Sequence, residues 1–247
     1  MSGAGWSNTG LPAQVRNSAG SGLTLTTAYQ LRSTEAPTGN LTMQQVGGAT
    51  EGAYYMISFA AIDLPSGGVT APVARVQNKA RQIGGVQTLS VTFDQPVGSG
   101  NMVIGYVYFE TAATRIKGPI TDDQGNEYTV IQAVDTTTVT QIGVLFFRPN
   151  ITNSPRTINV TVEGGNAIFS GIMAHEVRGK FALDQYTGDW LPSGDGFSPG
   201  VISTRTVTTT SNGEYIFCVA STPASGPAPP YYDFSAWASS RVVSEIR

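Results

Sequence analysis

The sequence predicts an all-β protein built as an antiparallel β-sandwich, of either the jelly-roll or the immunoglobulin-like type. Short runs rich in Val, Ile, Thr, Tyr and Phe recur along the chain, and these residue types favour extended strands. Clusters of Gly, Pro, Asn and Asp separate the runs, as expected for turns. The spacing typical of an amphipathic helix is nearly absent. We therefore expect about fourteen or fifteen strands, too many short ones for anything but a sandwich or barrel.

Two segments, 87–93 and 157–162, show a clear two-residue alternation. In the first, Leu89, Val91 and Phe93 alternate with hydroxyl side chains, which predicts one buried and one solvent-facing side. Other runs are apolar on both faces: 102–109, 142–147, 168–177 and 215–220. We expect these to be central strands that are covered on both sides or shared between subunits.

Turn signals lie between the predicted strands. Residues 94–101 separate two of them, and residues 163–166 have the composition of a hairpin loop. Residues 122–126 combine Asp side chains that can bond the turn backbone with a glycine for a positive-φ position.

Residues 64–70, which contain Pro and two glycines, are the best candidate for an internal linker. They separate a front part, 1–63, with about three predicted strands, from a main sandwich domain, 71–247. Three strands bury too little apolar surface to fold alone. We expect them to complete a sandwich, either in cis or by strand donation in trans; a separate small subdomain remains the alternative.

Composition excludes some partners and predicts others. Charged residues are 13% of the chain, about half the usual fraction, and the net charge of −3 comes without a basic cluster. Nucleic-acid binding needs such a cluster, so we expect none. We also expect no membrane insertion, because no run approaches the ~18 apolar residues of a span. The N-terminus lacks the features of a secretory signal.

The chain has one cysteine and one histidine. A disulfide framework or a Cys and His zinc site is therefore not expected. Cys218 lies in an apolar run, which favours a packed, inert thiol.

Four segments, 91–103, 120–128, 174–179 and 213–220, resemble a β-sandwich module found in phage virion proteins and bacterial extracellular proteins. They carry a Gly-Asn pair before an apolar strand, an Asp-x-x-Gly-Asn-x-Tyr turn and a Glu-x-x-Gly motif. Segments 28–31 and 53–62 are similar to the closing strands of that module. The resemblance implies a virion-surface or adhesive role by analogy.

Three acids lie in residues 183–200, which we predict to be one long loop: Asp184, Asp189 and Asp195. Their oxygens could hold a calcium ion or flank a sugar ring for hydrolysis. Their spacing matches no specific motif, and service in turns is the alternative. Calcium is the only cofactor that we consider.

Five aromatic residues are candidate contact residues, because loops longer than ~12 residues are uncommon unless functional and exposed rings suit sugar faces or protein partners. They are Tyr186, Trp190, Phe197, Tyr231 and Tyr232. For Trp190, packing over the end of the sandwich is an equal alternative. Tyr231 and Tyr232 follow a proline-rich stretch that is either a contact arm or a crossover.

His175 and Glu176 are the one place where a histidine meets a carboxylate. Adjacent strand residues point to opposite faces, so the two side chains diverge and are unsuited to general-base catalysis. We expect a buried or pore-facing histidine and a glutamate that bonds a neighbouring loop.

These features predict a non-enzymatic structural subunit, or a decoration or fibre module, of a virion or an extracellular assembly. The expected partners are further copies of the chain or other structural subunits, since edge strands invite pairing. A carbohydrate-binding adhesin that contacts surface glycans is the second hypothesis. A polysaccharide-active enzyme is the third.

Overall fold

The computed structural model of the chain describes residues 6–8, 13–16, 22–32, 42–44, 52–62, 74–83, 85–110, 115–133, 141–163, 169–191, 201–203, 208, 210 and 214–224. These residues form strands, turns and bends, without a helix. The strands, in chain order, are β1 (Trp6–Asn8), β2 (Ala13–Arg16), β3 (Gly22–Arg32), β4 (Thr42–Gln44), β5 (Gly52–Ala61), β6 (Ala74–Ile83), β7 (Thr88–Thr92), β8 (Met102–Glu110), β9 (Arg115–Ile116), β10 (Thr121–Asp122), β11 (Thr129–Ala133), β12 (Gln141–Arg148), β13 (Thr157–Glu163), β14 (Phe169–Arg178), β15 (Phe181–Leu191), β16 (Val201–Ser203) and β17 (Glu214–Ala224).

The predicted fold class is confirmed, because the registered strand pairs of the described residues are antiparallel. None of the described residues belongs to a helix long and apolar enough to cross a membrane.

The chain divides into two compact units. The first takes in the described residues of 1–12, 16–73 and 181–247, and the second those of 13–15 and 74–180. The predicted linker, 64–70, lies outside the described residues. The division into 1–63 and 71–247 stays a prediction.

The second unit has the strand order of a jelly roll. Its first strand pairs with its last (β6 with β14), its second with its second-to-last (β7 with β13), and its third with its third-to-last (β8 with β12). The innermost turn closes at a bridge between Thr121 and Glu127. The result is two sheets, β11-β12-β8-β14-β6 and β10-β13-β7, with β9 also paired to β13. This order selects the jelly roll from the two sandwich types expected.

The first unit repeats this order in six of its strands, which pair across a long separation in sequence. β3 pairs with β17, β4 with β16 and β5 with β15. In both units the last strand also lies between the first and the third: β14 between β6 and β8, and β17 between β3 and β5. The second unit is therefore inserted in sequence between the third and the third-to-last strand of the first.

The insertion leaves and rejoins the first unit at neighbouring positions. Ala61 and Phe181 are opposite each other in β5 and β15, and Ala74 faces Arg178 where the second unit begins and ends.

The core of the second unit is formed by one face of each of its sheets. Its largest contributors are Phe93, Phe109, Tyr128 and Phe146, and the Tyr128 and Phe146 rings meet edge to face at 5.7 Å between centroids. The runs predicted to be apolar on both faces are buried on both faces, since 102–109, 143–147 and 170–177 are buried without alternation.

The alternating strands β7 and β13 present hydroxyls to their outer face, as predicted. Thr88 Oγ1 lies 3.0 Å from Thr161 Oγ1, and Thr92 Oγ1 lies 3.0 Å from Thr157 Oγ1. Such cross-strand pairs stabilise a sheet by about 0.2–1 kcal/mol each.

Candidate functional site

The predicted loop 183–200 is wrong for residues 183–191, which belong to β15. β15 pairs with β5 over its whole length. Residues 182, 183, 185, 186 and 188 are all exposed, so both faces of this strand meet solvent. A strand of this kind has no buried face to impose a two-residue alternation, and its polar residues and glycine therefore suggest a loop.

The candidate contact residues are placed as follows. Tyr186, in β15, is 57% exposed. Trp190, in the same strand, lies opposite Ala53 of β5. Phe197, Tyr231 and Tyr232 lie outside the described residues. Their roles in binding stay predictions.

Asp184 lies at a β-bulge, the extra residue of β15 between the pairs Leu183 with Phe59 and Gln185 with Ser58. A bulge turns its side chain away from the regular alternation. The Asp184 carboxylate accepts hydrogen bonds from Ser58 Oγ at 3.2 Å, from Thr210 N at 3.0 Å and from Thr210 Oγ1. It therefore joins β15 to β5 and to the residues that precede β17.

Burial acts to raise the pKa of Asp184, but hydrogen bonds from Thr210, and then those with Glu214 and Ser58, outweigh it and hold the pKa below its ordinary value of 3.8. Glu214 is fully buried at the start of β17. The Asp184 carboxylate is thus held by hydroxyl and amide donors from Ser58 and Thr210.

The metal prediction has no further support at this place. Asp189 lies five residues beyond Asp184 in β15, and Asp195 is outside the described residues. Among the residues that the structure describes, no group of three or more His, Cys, Asp or Glu side chains could hold a metal ion. Calcium binding by these acids stays a prediction.

His175 and Glu176 are both buried in β14, and their environments match the prediction. His175 lies opposite Ile104 in β8. Burial, and then the nearby charge of Arg75, lower the His175 pKa to about 3, so the imidazole is neutral at pH 7.

Glu176 fixes the loop between β7 and β8, which confirms the expected glutamate–loop bond. Its Oε1 accepts hydrogen bonds from Gly98 N at 2.8 Å and Asn101 Nδ2 at 2.5 Å, and its Oε2 accepts one from Gln77 Nε2 at 2.6 Å. Gln77 Nε2 also donates a hydrogen bond to Gln95 O at 2.9 Å, and Gln77 Oε1 accepts one from Gln95 N at 3.2 Å. This buried carboxylate therefore ties β6, β14 and the loop together.

Gly98 leaves room for this arrangement. A Cβ atom on Gly98 would lie 2.7 Å from Asn101 Nδ2 and 3.3 Å from Glu176 Oε1. A side chain at this position would displace the donors from the carboxylate.

Asp122 organises the turn between β10 and β11, as the Asx residues of this turn were expected to do. Its Oδ1 accepts hydrogen bonds from Gln124 N and Asn126 N, each at 3.0 Å. Its Oδ2 accepts bonds from Asn126 Nδ2 at 2.9 Å and Tyr128 Oη at 3.2 Å. Gly125 has φ of 76°, the positive value that glycine adopts without strain. Burial and the Asp122 charge raise the pKa of Tyr128.

We expect Asp122→Ala to lower the free energy of unfolding by about 2–3 kcal/mol, because buried donors would lose a charged acceptor. Urea denaturation measures this value. Asp122→Asn should cost less, since it keeps one acceptor oxygen, and Gln124→Ala, at an exposed turn position, should change little. Equal values for all three variants would contradict the structural role of the carboxylate.

Cys218 is fully buried, and burial raises the pKa of its thiol. This agrees with the prediction of a packed, inert thiol. The residues that sequence reasoning missed are Ser58, Thr210 and Glu214, which surround Asp184. They are distant in sequence and follow no motif, so only the pairing of β5, β15 and β17 brings them together.

Comparison with known proteins identifies no family. No family model matches the sequence, and no curated protein matches it. Among solved structures, the chain has a weak resemblance to the VP2 subviral particle of infectious bursal disease virus, a viral capsid protein. The match covers 99% of this chain and 84% of that one, with 10% sequence identity and a TM-score of 0.18. A TM-score this low carries no argument about function.

Proposed function

We propose that the chain is a non-enzymatic structural subunit, or a decoration or fibre module, of a virion or an extracellular assembly. Its partners are further copies of itself or other structural subunits. Its site of action is the virion surface or the extracellular space.

The observation that carries this proposal is the nesting of two units with the same jelly-roll pairing. Jelly rolls are common in viral capsid and lectin domains. The low charged fraction of 13% supports the proposal, because uncharged polar surfaces are desolvated at lower cost when subunits meet. Fold alone does not fix function, so the proposal depends on an experiment.

The contacts of the buried polar groups also support a structural role. Glu176 bonds a loop, Asp122 bonds a turn, and His175 lies neutral inside a central strand. Asp184 is the acid with the strongest claim to chemistry, and its oxygens are occupied by donors from Ser58 and Thr210.

Electron microscopy and light scattering of the purified full chain test the proposal. We expect rings, shells, fibres or another regular oligomer. A protein that stays monomeric over a wide range of concentration, salt and pH would contradict it, and so would turnover of a polysaccharide that is lost in Asp184→Asn.

Carbohydrate binding is the second candidate, favoured by the exposure of Tyr186 on a strand of the first unit. A glycan array tests it, with Tyr186→Ala as the variant and Leu183→Ala, which removes another exposed apolar side chain, as the control. Binding lost in Tyr186→Ala alone would favour an adhesin, whereas absence of binding by the parent chain would dismiss this candidate.

A further inference from the structure

β15 is an edge strand among the strands that the structure describes. It ends the sheet order β1-β3-β17-β5-β15, and no second neighbour is found for it among the described strands. The open side of such a strand presents N–H and C=O groups that can pair with another chain. Because residues on both faces of β15 are exposed, a partner strand would meet no covering layer.

The open part of this edge begins after Asp184. At Asp184 itself the bulge interrupts the ladder and Thr210 contacts the carboxylate. From Gln185 to Leu191 the pairing with β5 is regular. This segment, Gln-Tyr-Thr-Gly-Asp-Trp-Leu, has no Lys, Arg or Pro, the residues that commonly protect an edge.

The end strand of the second unit's larger sheet is protected in contrast. β6 carries Arg75, Lys79 and Arg81, and it has a bulge where β14 changes register. Of these two end strands, β15 is the better suited to pairing, because its segment from Gln185 to Leu191 lies beyond the bulge and carries a single charged residue, Asp189.

The sequence of this segment is complementary to itself in one antiparallel register, centred on Gly188. Two copies related by a two-fold axis would place Tyr186 opposite Trp190, an aromatic pair of the kind that stabilises sheets. Asp189 of each copy would face Thr187 of the other copy, so that no acid faces another acid across the axis. A register centred between Tyr186 and Thr187 would instead place Asp184 opposite Asp189, where like charges repel.

We propose that β15 is a self-association surface, at which Gln185–Leu191 of one copy pairs antiparallel with the same segment of a second copy across a two-fold axis at Gly188. The pairing is isologous, the commonest symmetry of homo-oligomers. The inference rests on the proposed function, since it names a contact through which the structural subunit assembles.

Disulfide trapping in the full chain tests the register. In Gly188→Cys, the two cysteines would face each other across the axis with Cα atoms ~4.5–5.5 Å apart, within the range for a disulfide. Mild oxidation should give a covalent dimer as the main product. Cys218, the only native cysteine, is fully buried and should not compete.

Thr187→Cys is the matched control, because its cysteines would lie about 8 Å apart in this register, too far to bridge. We expect about tenfold less covalent dimer than for Gly188→Cys. Equal cross-linking of both variants, or of neither while the chain still self-associates, would overturn the proposal and leave the proposed function standing.

Gly188→Lys provides a second readout that needs no oxidation. It places two like charges opposite each other, so self-association should become several-fold weaker, while Gly188→Ser should behave as the parent. Position 188 is exposed, and the unfolding curve of each variant verifies that it folds. Unchanged association in Gly188→Lys would count against the proposal. A parent chain that is always monomeric would reject both this contact and the proposed function.

Discussion

Glu176→Ala is expected to lower the free energy of unfolding by about 3–5 kcal/mol, because three hydrogen bonds to a charged acceptor would be lost together. The Glu176 carboxylate is 1% exposed and accepts bonds from Gly98, Asn101 and Gln77. Alanine would remove the charged acceptor of these three partly buried donors. The loop between β7 and β8 would then lose its attachment to β14.

Urea denaturation of the parent, Glu176→Ala and Glu176→Gln measures this effect. Glutamine keeps one acceptor oxygen but turns an N–H group towards a donor, so its effect should be intermediate. Glu127→Ala is the control, because Glu127 is exposed and should change stability by less than about 0.5 kcal/mol. A loss below about 1 kcal/mol in Glu176→Ala would show that the loop is held by other contacts.

Acidification from pH 7 to pH 5 is expected to lower the free energy of unfolding by about 2 kcal/mol through His175 alone. Burial, and then Arg75, lower the folded-state pKa of His175 from 6.5 to about 3. Between these two values the unfolded chain binds a proton that the folded chain does not bind. Stability is therefore full above pH 6.5 and is lost as the pH falls towards about 3.

His175 is the only histidine of the chain, so the pH dependence between 7 and 5 can be assigned to it. Unfolding free energies measured at pH 7, 6 and 5 should decrease for the parent and stay nearly constant for His175→Gln. An NMR titration should show no protonation of the folded imidazole in this interval. A histidine that titrates near pH 6.5 in the folded protein would disprove the burial of this side chain.

Much of the second unit could be predicted from local patterns. The alternation of Leu89, Val91 and Phe93 predicts the core face of β7, and these side chains are buried. The turn at Asp122 was predictable because its hydrogen bonds reach only two to six residues along the chain. For His175 the apolar strand predicted either a buried or a pore-facing side chain, and the structure shows that it is buried.

The surroundings of Asp184 could not be predicted in this way. Its partner Ser58 is 126 positions away in sequence, and the bulge that turns Asp184 towards Ser58 depends on how β15 is aligned with β5. The same alignment makes a strand of a segment that looks like a loop. A strand at the end of a sheet is stabilised by its neighbour's backbone, and no side-chain pattern encodes that neighbour.

The sequence by itself determined the class of the fold, the connections at 94–101 and 122–126, and the buried faces of the alternating strands, because side-chain polarity and turn chemistry act over a few residues. Only the tertiary structure decided which strands pair, at which point in the sequence one jelly roll interrupts the other, and which of the described strands lies at the end of a sheet. These features depend on hydrogen bonds between backbone N–H and C=O groups, which nearly every residue type provides. The sequence therefore does not specify the partner strand locally, and the pairing is decided only when distant strands come side by side.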